Sequence, residues 1–404
     1  MSALLGRHSK PRVTEVLEDR QMRIAIAGIR GIPARFGGSE TAAEEIGRRL
    51  VARGHEVTVY CRRHNSRSFA REYLGMKRVV LPSINTFNLD TITHSFLTSL
   101  HIHLTDSADV IHFHGMGNAL LLPLLWPSAK RSVVTIDGPD WERPKWGAGA
   151  KLALKLGARM AVRWADCLII DNQPSIAYFR RHFGVEGTYI PYGADPETPK
   201  TSEYINELGL QRRGYLLFVG ALVPDKGPDV LVEACSHLGN EMPVVIVGDS
   251  PFLPEYQAKL RAAAINDKRI RFLGYVYGSH YRQLLANAYA YVHPLRSDGT
   301  SPALLQALAY GSCIVINSLP EALSAVGDAA LPYSHNDPVD LARRLRQVIA
   351  DPSLADTYRT RARQRAETEY NWDRVTEQHE VVYREALEGR PARPRRRTGE
   401  YGAG

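Results

Sequence analysis

The densest run of chemistry-bearing residues is Arg296-Ser-Asp-Gly-Thr-Ser-Pro-Ala-Leu-Leu-Gln-Ala-Leu-Ala-Tyr-Gly311. Asp298 and Gln306 stand eight residues apart, and both side chains bind hydroxyls. Between them Gly299, Thr300 and Ser301 lead into a helix. Ser301 suits its N-cap and Pro302 its first position, where a missing N–H costs nothing. Such a helix start aims backbone N–H groups and a positive dipole end at an anion. Phosphate-binding N–H groups beside hydroxyl-binding side chains suit a nucleotide-sugar. Taken alone, the pattern also describes an ordinary strand–loop–helix crossover.

Other candidates sit in turns that follow short apolar runs. The turn Gly28-Ile-Arg-Gly-Ile-Pro-Ala-Arg-Phe-Gly-Gly-Ser-Glu40 holds Gly37 and Gly38, which permit close backbone approach or positive φ. A helix is expected to begin near Ser39 to Thr41, with Thr41 to Glu44 as a capping box. The G-x-G-x-x-G dinucleotide spacing is absent. Lys226 lies in Val219-Gly-Ala-Leu-Val-Pro-Asp-Lys-Gly227, where a cation would stabilise negative charge growing on a leaving group. Asp137 opens Asp137-Gly-Pro-Asp-Trp-Glu-Arg-Pro-Lys-Trp146. It is suited to accept a hydroxyl or to counter positive charge, and equally to orient its own turn. Trp141 and Trp146 offer a stacking wall for a sugar or simple packing. His112 and His114 share one face of a strand, and without a third ligand they read as structural rather than metal-binding.

The elements that must hold these residues alternate. Buried-type runs occur at 23–27, 57–60, 79–81, 110–113, 133–136 and 168–170, then at 215–219, 244–247, 270–273, 290–293 and 313–317. Helical stretches lie between most of them. Near-continuous apolar strands alternating with helices predict parallel sheets covered on both faces, here as two doubly wound α/β domains. The Pro- and Gly-punctuated stretch 191–200 marks the boundary. The expected division is a leader at 1–21, an N-terminal Rossmann-like domain at 22–195 and a C-terminal one at 196–373. A closing helix at 374–388 and a disordered basic tail at 389–404 complete it.

Composition narrows the partners. With 404 residues, 44% hydrophobic and 23% charged, the chain is globular and long enough for two or three domains. Its net charge of +8 invites a nucleic-acid reading. Half of that charge comes from Arg390, Arg393, Arg395, Arg396 and Arg397 against Glu400 in the tail, with no RNA-binding or DNA-binding signature beside it. No specific nucleic-acid partner is expected. Cys61, Cys167, Cys235 and Cys313 are scattered, which argues for reduced thiols in the cytoplasm and against a zinc site. The leader lacks the apolar core of a signal peptide and is read as a flexible arm or a mis-assigned start. Lys151, Lys155, Arg159 and Arg163 recur every fourth residue beside leucines. That is the composition of an interfacial helix at the inner face of a membrane, and also of any sheet-covering helix.

The Asp298-to-Gln306 segment resembles the Glu-x7-Glu signature of glycosyltransferase family 4, retaining enzymes of the two-Rossmann GT-B fold. The resemblance covers about residues 22–388. It implies a nucleotide-diphosphate sugar donor, a hydroxyl acceptor, no cofactor and no catalytic metal. It assigns Asp298 to the donor sugar and Gln306 to the ribose, both departing from the family's Glu. Lys226 matches the Lys of the family's Gly-Arg-x4-Lys-Gly diphosphate element, while Ala221 replaces its Arg; Arg35, Arg143, Lys145 or Arg296 would have to supply a second cation. Val245-Ile-Val-Gly-Asp249 resembles the strand-end turn beside the base. The turns at 28–38 and 137–146 are similar to a subgroup of rhamnosyltransferases for surface polysaccharides. The resemblance places Gly37 and Gly38 by the donor, Arg35, Trp141, Arg143 and Lys145 on the acceptor side, and Asp137, as a catalytic candidate, where many relatives outside the subgroup have a His that touches the donor sugar near the reacting carbon. The three departures also fit a glycosyltransferase-like scaffold that has lost its chemistry. A GT-B epimerase fits the retained motifs less well.

Overall fold

The computed structural model describes residues 20–34, 37–66, 68–86, 89–105, 107–125, 130–142, 147–196, 201–239, 241–250, 253–296 and 301–389. Its strands are β1 (Arg23–Ala27), β2 (Glu56–Arg62), β3 (Glu72–Tyr73), β4 (Met76–Leu81), β5 (Val110–His114), β6 (Arg131–Ile136), β7 (Cys167–Ile170) and β8 (Thr188–Tyr189), followed by β9 (Leu216–Val219), β10 (Val244–Val247), β11 (Ile270–Gly274), β12 (Ala290–His293), β13 (Cys313–Asn317) and β14 (Ala330–Tyr333). They form an eight-stranded sheet in the order β3-β4-β2-β1-β5-β6-β7-β8 and a six-stranded sheet in the order β11-β10-β9-β12-β13-β14. Every pairing given for the second sheet is parallel, while β3 runs antiparallel to β4 at the edge of the first.

Helices α1 (Gly38–Ala52), α2 (Asp90–Thr105), α3 (Leu122–Leu125), α4 (Ala148–Trp164) and α5 (Gln173–Phe183) belong with the first set of strands in sequence. The second set is interleaved with α6 (Glu203–Glu207), α7 (Pro228–Leu238), α8 (Pro254–Ala264), α9 (Gly278–Asn287), α10 (Pro302–Ala309) and α11 (Pro320–Val326). Helices α12 (Pro338–Ala350), α13 (Pro352–Glu369) and α14 (Trp372–Glu388) follow as the last of the described helices; the expected tail lies outside the described residues from 390 on, as does the leader up to residue 19. Local chemistry sets several ends. Asn172 caps α5 on the N–H of Ser175, and Asp337 caps α12 on Val339 and Asp340. Asp351 caps α13 on Ser353 and Leu354.

The chain divides into two compact units, one drawn from Met1–Thr135, Ala153–Leu168 and Gln378–Gly404, the other from Ile136–Leu152 and Ile169–Glu377. The second has a core in which Leu216, Val244, Ile246, Val292 and Val315 from the strands meet Leu231 and Leu345 from the helices. Fully buried strands explain the near-continuous apolar runs. In each sheet the order reverses beside its first strand, at β1/β5 and at β9/β12. Ligands of open α/β sheets bind outside the carboxyl ends at such switch points.

Candidate functional site

At the β9/β12 switch point the loops after the two strands are packed backbone on backbone. Lys226 ends a single turn, Pro224–Lys226, that stops at left-handed Gly227 with φ +66. A Cβ on Gly227 would lie 2.1 Å from the carbonyl oxygen of Pro294, so only glycine lets the Lys226 turn meet the loop after β12 this closely. The contact is pinned by the Arg296 N–H, which donates to the Asp225 carbonyl at 2.8 Å. Asn317, buried at the end of β13, donates to the Leu295 carbonyl at 2.9 Å. Residues 294–296 after β12 are thus held to the turn that carries Lys226.

His293, the last residue of β12, is buried beneath this junction. Burial, and next the positive charge of Lys226, push its pKa down to about 3. Its Nδ1 lies 3.5 Å from the Tyr291 hydroxyl, and its Nε2 has no partner among the described residues. Sequence reasoning passed over His293; its one signal was a His–Pro pair at a strand end directly before the loop. Arg296 does not supply a second cation here. Its guanidinium forks onto Asp229, which also accepts from the Tyr256 hydroxyl at 2.6 Å. Ala221 is exposed and offers no charge.

Ser301 occupies the N-cap of α10 in extended backbone, with Pro302 following it. Its side chain caps nothing; the first turn closes on its carbonyl, which accepts from Leu304 and Leu305. No described side chain caps this helix start, the arrangement in which an exogenous acceptor can bind. Gln306 is half-buried, and its carboxamide bonds to no described residue. Asp298, Gly299 and Thr300 lie outside the described residues, as do Arg35, Arg143, Lys145 and Trp146.

Asp137 follows β6 and is half-buried. Its carboxylate accepts from the Tyr192 hydroxyl at 3.3 Å, and its carbonyl accepts from the Asn172 amide at 2.7 Å. Trp141 is only 6% exposed, with the rings of Tyr178, Phe179 and Phe183 about it, so it packs and leaves little face for a sugar. In the other unit, α1 begins at Gly38, earlier than the expected capping box. Thr41 is inside the helix and bonds back to the Gly37 carbonyl. Glu40 and Glu44 instead accept from the N–H groups of Arg30 and Ala34, which clamps the turn after β1. Gly37 has extended φ 170, so positive φ is not its use. His112 is hydrogen-bonded by Tyr383 and Thr135, whereas His114 has neither ring nitrogen partnered among the described residues. Among those residues no group of three or more His, Cys, Asp or Glu could hold a metal ion.

The two parallel-sheet domains are those of the GT-B fold, and comparison with known proteins adds the activity. Residues 36–198 match the model of Glycosyltransferase Family 4, and residues 201–365 that of Glycosyl transferases group 1. A D-inositol 3-phosphate glycosyltransferase of Streptomyces bingchenggensis is 25% identical over 92% of this chain and 90% of its own length. The alpha-maltose-1-phosphate synthase of Mycolicibacterium smegmatis is 24% identical over 78% and 84%. The match to O-antigen chain mannosyltransferase B of Escherichia coli, 24% identical, spans 54% of this chain and 58% of that protein. Among solved structures, sucrose-phosphate synthase from Thermosynechococcus elongatus superposes with a TM-score of 0.78 at 19% identity, over 91% of this chain and all of the other. Anabaena HepE, in complex with UDP-glucose, gives 0.74 at 17% identity over 90% and 99%. With both models matched, the chain is a glycosyltransferase of the GT-B type.

Proposed function

We propose that the chain moves a sugar from a nucleotide-diphosphate sugar to a hydroxyl acceptor with retention of anomeric configuration, in polysaccharide or glycoconjugate synthesis. One observation carries the reading: the Lys226 turn and residues 294–296 after β12, just ahead of α10, are locked together at the β9/β12 switch point. A diphosphate there meets an ammonium and helix N–H groups, both of which strengthen as charge develops on the leaving oxygen. Gln306 binds the ribose and Asp298 the sugar. The related HepE structure, solved with UDP-glucose, supports a uridine or similar nucleotide. The turns at 28–38 and 137–146 favour a rhamnose-like donor sugar, with Asp137 beside the reacting carbon. Residues 22–195 serve the acceptor and 196–373 the donor, with no cofactor required.

The test is release of free nucleoside diphosphate from a panel of nucleotide sugars, with and without an acceptor mixture. Acceptor-dependent release together with an NMR-assigned axial or equatorial product decides transfer and stereochemistry. Binding of nucleotide without release from any donor would favour the second reading, a scaffold that has lost its chemistry. That reading draws on Ala221 and on the commitment of Arg296 to Asp229. Isomerised donor without an acceptor would make the chain an epimerase.

Helix α4 adds a proposal about place. Its buried face is small, Gly157, Ala158 and Ala161, while Leu152 and Leu156 are exposed among Lys155, Arg159 and Arg163. Exposed leucines among cations suit an anionic lipid surface, and no described helix is long and apolar enough to cross a membrane. Sedimentation with phosphatidylglycerol vesicles, lost in a Lys155→Glu/Arg159→Glu variant and absent with phosphatidylcholine, is the expected result.

A further inference from the structure

At the amino edge of the second sheet, the end opposite Lys226 and the start of α10, lies a polar groove of about 520 Å³. Its floor is made of the residues that enter three neighbouring strands: Arg213 before β9, Ala288 before β12 and Ser312 before β13. One wall is α13, which contributes Arg359, Thr360, Arg363 and Gln364. The volume falls in the range of small-molecule sites. None of these residues belongs to the Lys226 turn or to the start of α10.

The charges of the groove are unequally committed. Arg359 is anchored: it donates to Asp356 and to the Tyr289 carbonyl, both at 2.7 Å, and lies over the Tyr289 ring. Arg213 reaches the same Asp356 at 3.4 Å. Arg212 and Arg363 make no hydrogen bond or ion pair with any described residue. Arg363 nonetheless has a defined seat. A Cβ on Gly311 would stand 3.2 Å from its Nη2, and glycine at φ +63 leaves that space to the guanidinium. Ser312 is buried, and its hydroxyl has no partner among the described residues.

Four arginines against Asp356 and Glu367 give the lining a formal excess of two positive charges. The carboxyl ends of α9 and α10 also reach the groove through Ala288 and Tyr310. Each helix end contributes roughly −0.5 of a charge, so the groove stays positive. Two guanidiniums uncommitted among the described residues suit an anion with several acceptor oxygens. Ser312, Gln364 and Glu367 beside them suit hydroxyls.

We propose that this groove binds a small phosphate ester bearing hydroxyl groups, such as a sugar phosphate, at a site separate from the donor. Its phosphate engages Arg212 and Arg363, and its hydroxyls engage Ser312, Gln364 and Glu367.

Thermal-shift and calorimetric titration of the full chain with a hexose 6-phosphate, inorganic phosphate and the unphosphorylated hexose test this. Saturable binding of the hexose phosphate is expected, tighter than phosphate and absent for the hexose. Arg212→Gln/Arg363→Gln should weaken it by about tenfold or more, the scale of a lost charge-assisted hydrogen bond. Lys226→Ala should leave it unchanged. Binding lost in Lys226→Ala but kept in the double arginine variant would place the phosphate in the donor site and overturn the proposal. No saturable binding at millimolar concentration overturns it as well. Neither result depends on finding the donor sugar or any turnover.

Discussion

Arg296 holds Asp229 in a two-point ion pair, Nη1 to Oδ1 at 3.1 Å and Nη2 to Oδ2 at 2.8 Å. This pair commits the guanidinium of Arg296, just after β12, to the first turn of α7. Both side chains are partly exposed, so the pair is worth roughly 0.2–1 kcal/mol. Arg296→Ala should therefore lower stability by no more than that. Turnover should stay within about threefold, since an exposed pair constrains the loop only weakly. A fall of two orders of magnitude in a steady-state assay would mean that the guanidinium leaves Asp229 for the substrate.

With Ala221 in place of a cation and Arg296 engaged, Lys226 carries the ammonium of the switch point. His293 beside it stays neutral and adds no charge. Lys226→Ala should cost on the order of 10²-fold in turnover, as loss of a transition-state donor does. Affinity for the free nucleoside should change little, because a nucleoside has no phosphate. Activity within a few-fold of the parent rejects Lys226 as the diphosphate ligand.

Much of this architecture was legible in the chain because buried parallel strands announce themselves as apolar runs. Val244–Val247, Ala290–His293 and Cys313–Asn317 fall where the runs do. Strand β14 was not legible: four residues with Pro332 among them read as loop, and an edge position is what tolerates that proline. The Thr41–Glu44 spacing matched a capping box by chance. Glu40 and Glu44 reach ten residues back to a turn whose path no local pattern specifies. The partner of Arg296 lies 67 residues away, and the aromatic cage of Trp141 is built from a later helix. Spacing identifies the residues of a site; it does not reveal which charges are already spent.

Acid should destabilise the protein through its buried histidines. Burial pushes His114 and His293 down to about 3 and His94 down to about 4, and lowers His112 as well. Below the ordinary value of about 6.5 an unfolded chain takes up these protons. The folded one refuses them until its own lower value is reached. Stability is therefore full above pH 7 and is lost as pH falls from about 6.5 toward 4, at about 1.4 kcal/mol per pH unit for each histidine. Calorimetric proton uptake on unfolding at pH 5 should drop by about one proton in His114→Leu. An unchanged uptake would show that His114 is protonated in the fold.

Gln306 gives the sharpest test of the donor end of α10. Its carboxamide is half-buried and bonds to no described residue, which leaves it available to a substrate hydroxyl. A hydrogen bond to a charged group contributes roughly 1.5–3 kcal/mol, against about 0.5–1.5 for a neutral one. Gln306→Glu should therefore be tolerated and tighten nucleoside diphosphate binding by up to about tenfold. Gln306→Leu should weaken it, because ribose hydroxyls would be buried against an apolar side chain. Asp298→Ala should instead lower turnover more than nucleotide affinity, since its expected partner is the sugar. Calorimetric titration of the free nucleoside diphosphate into each variant separates these outcomes. If Gln306→Leu binds as tightly as the parent, the side chain does not face the ribose, and the start of α10 is left to hold the phosphates alone.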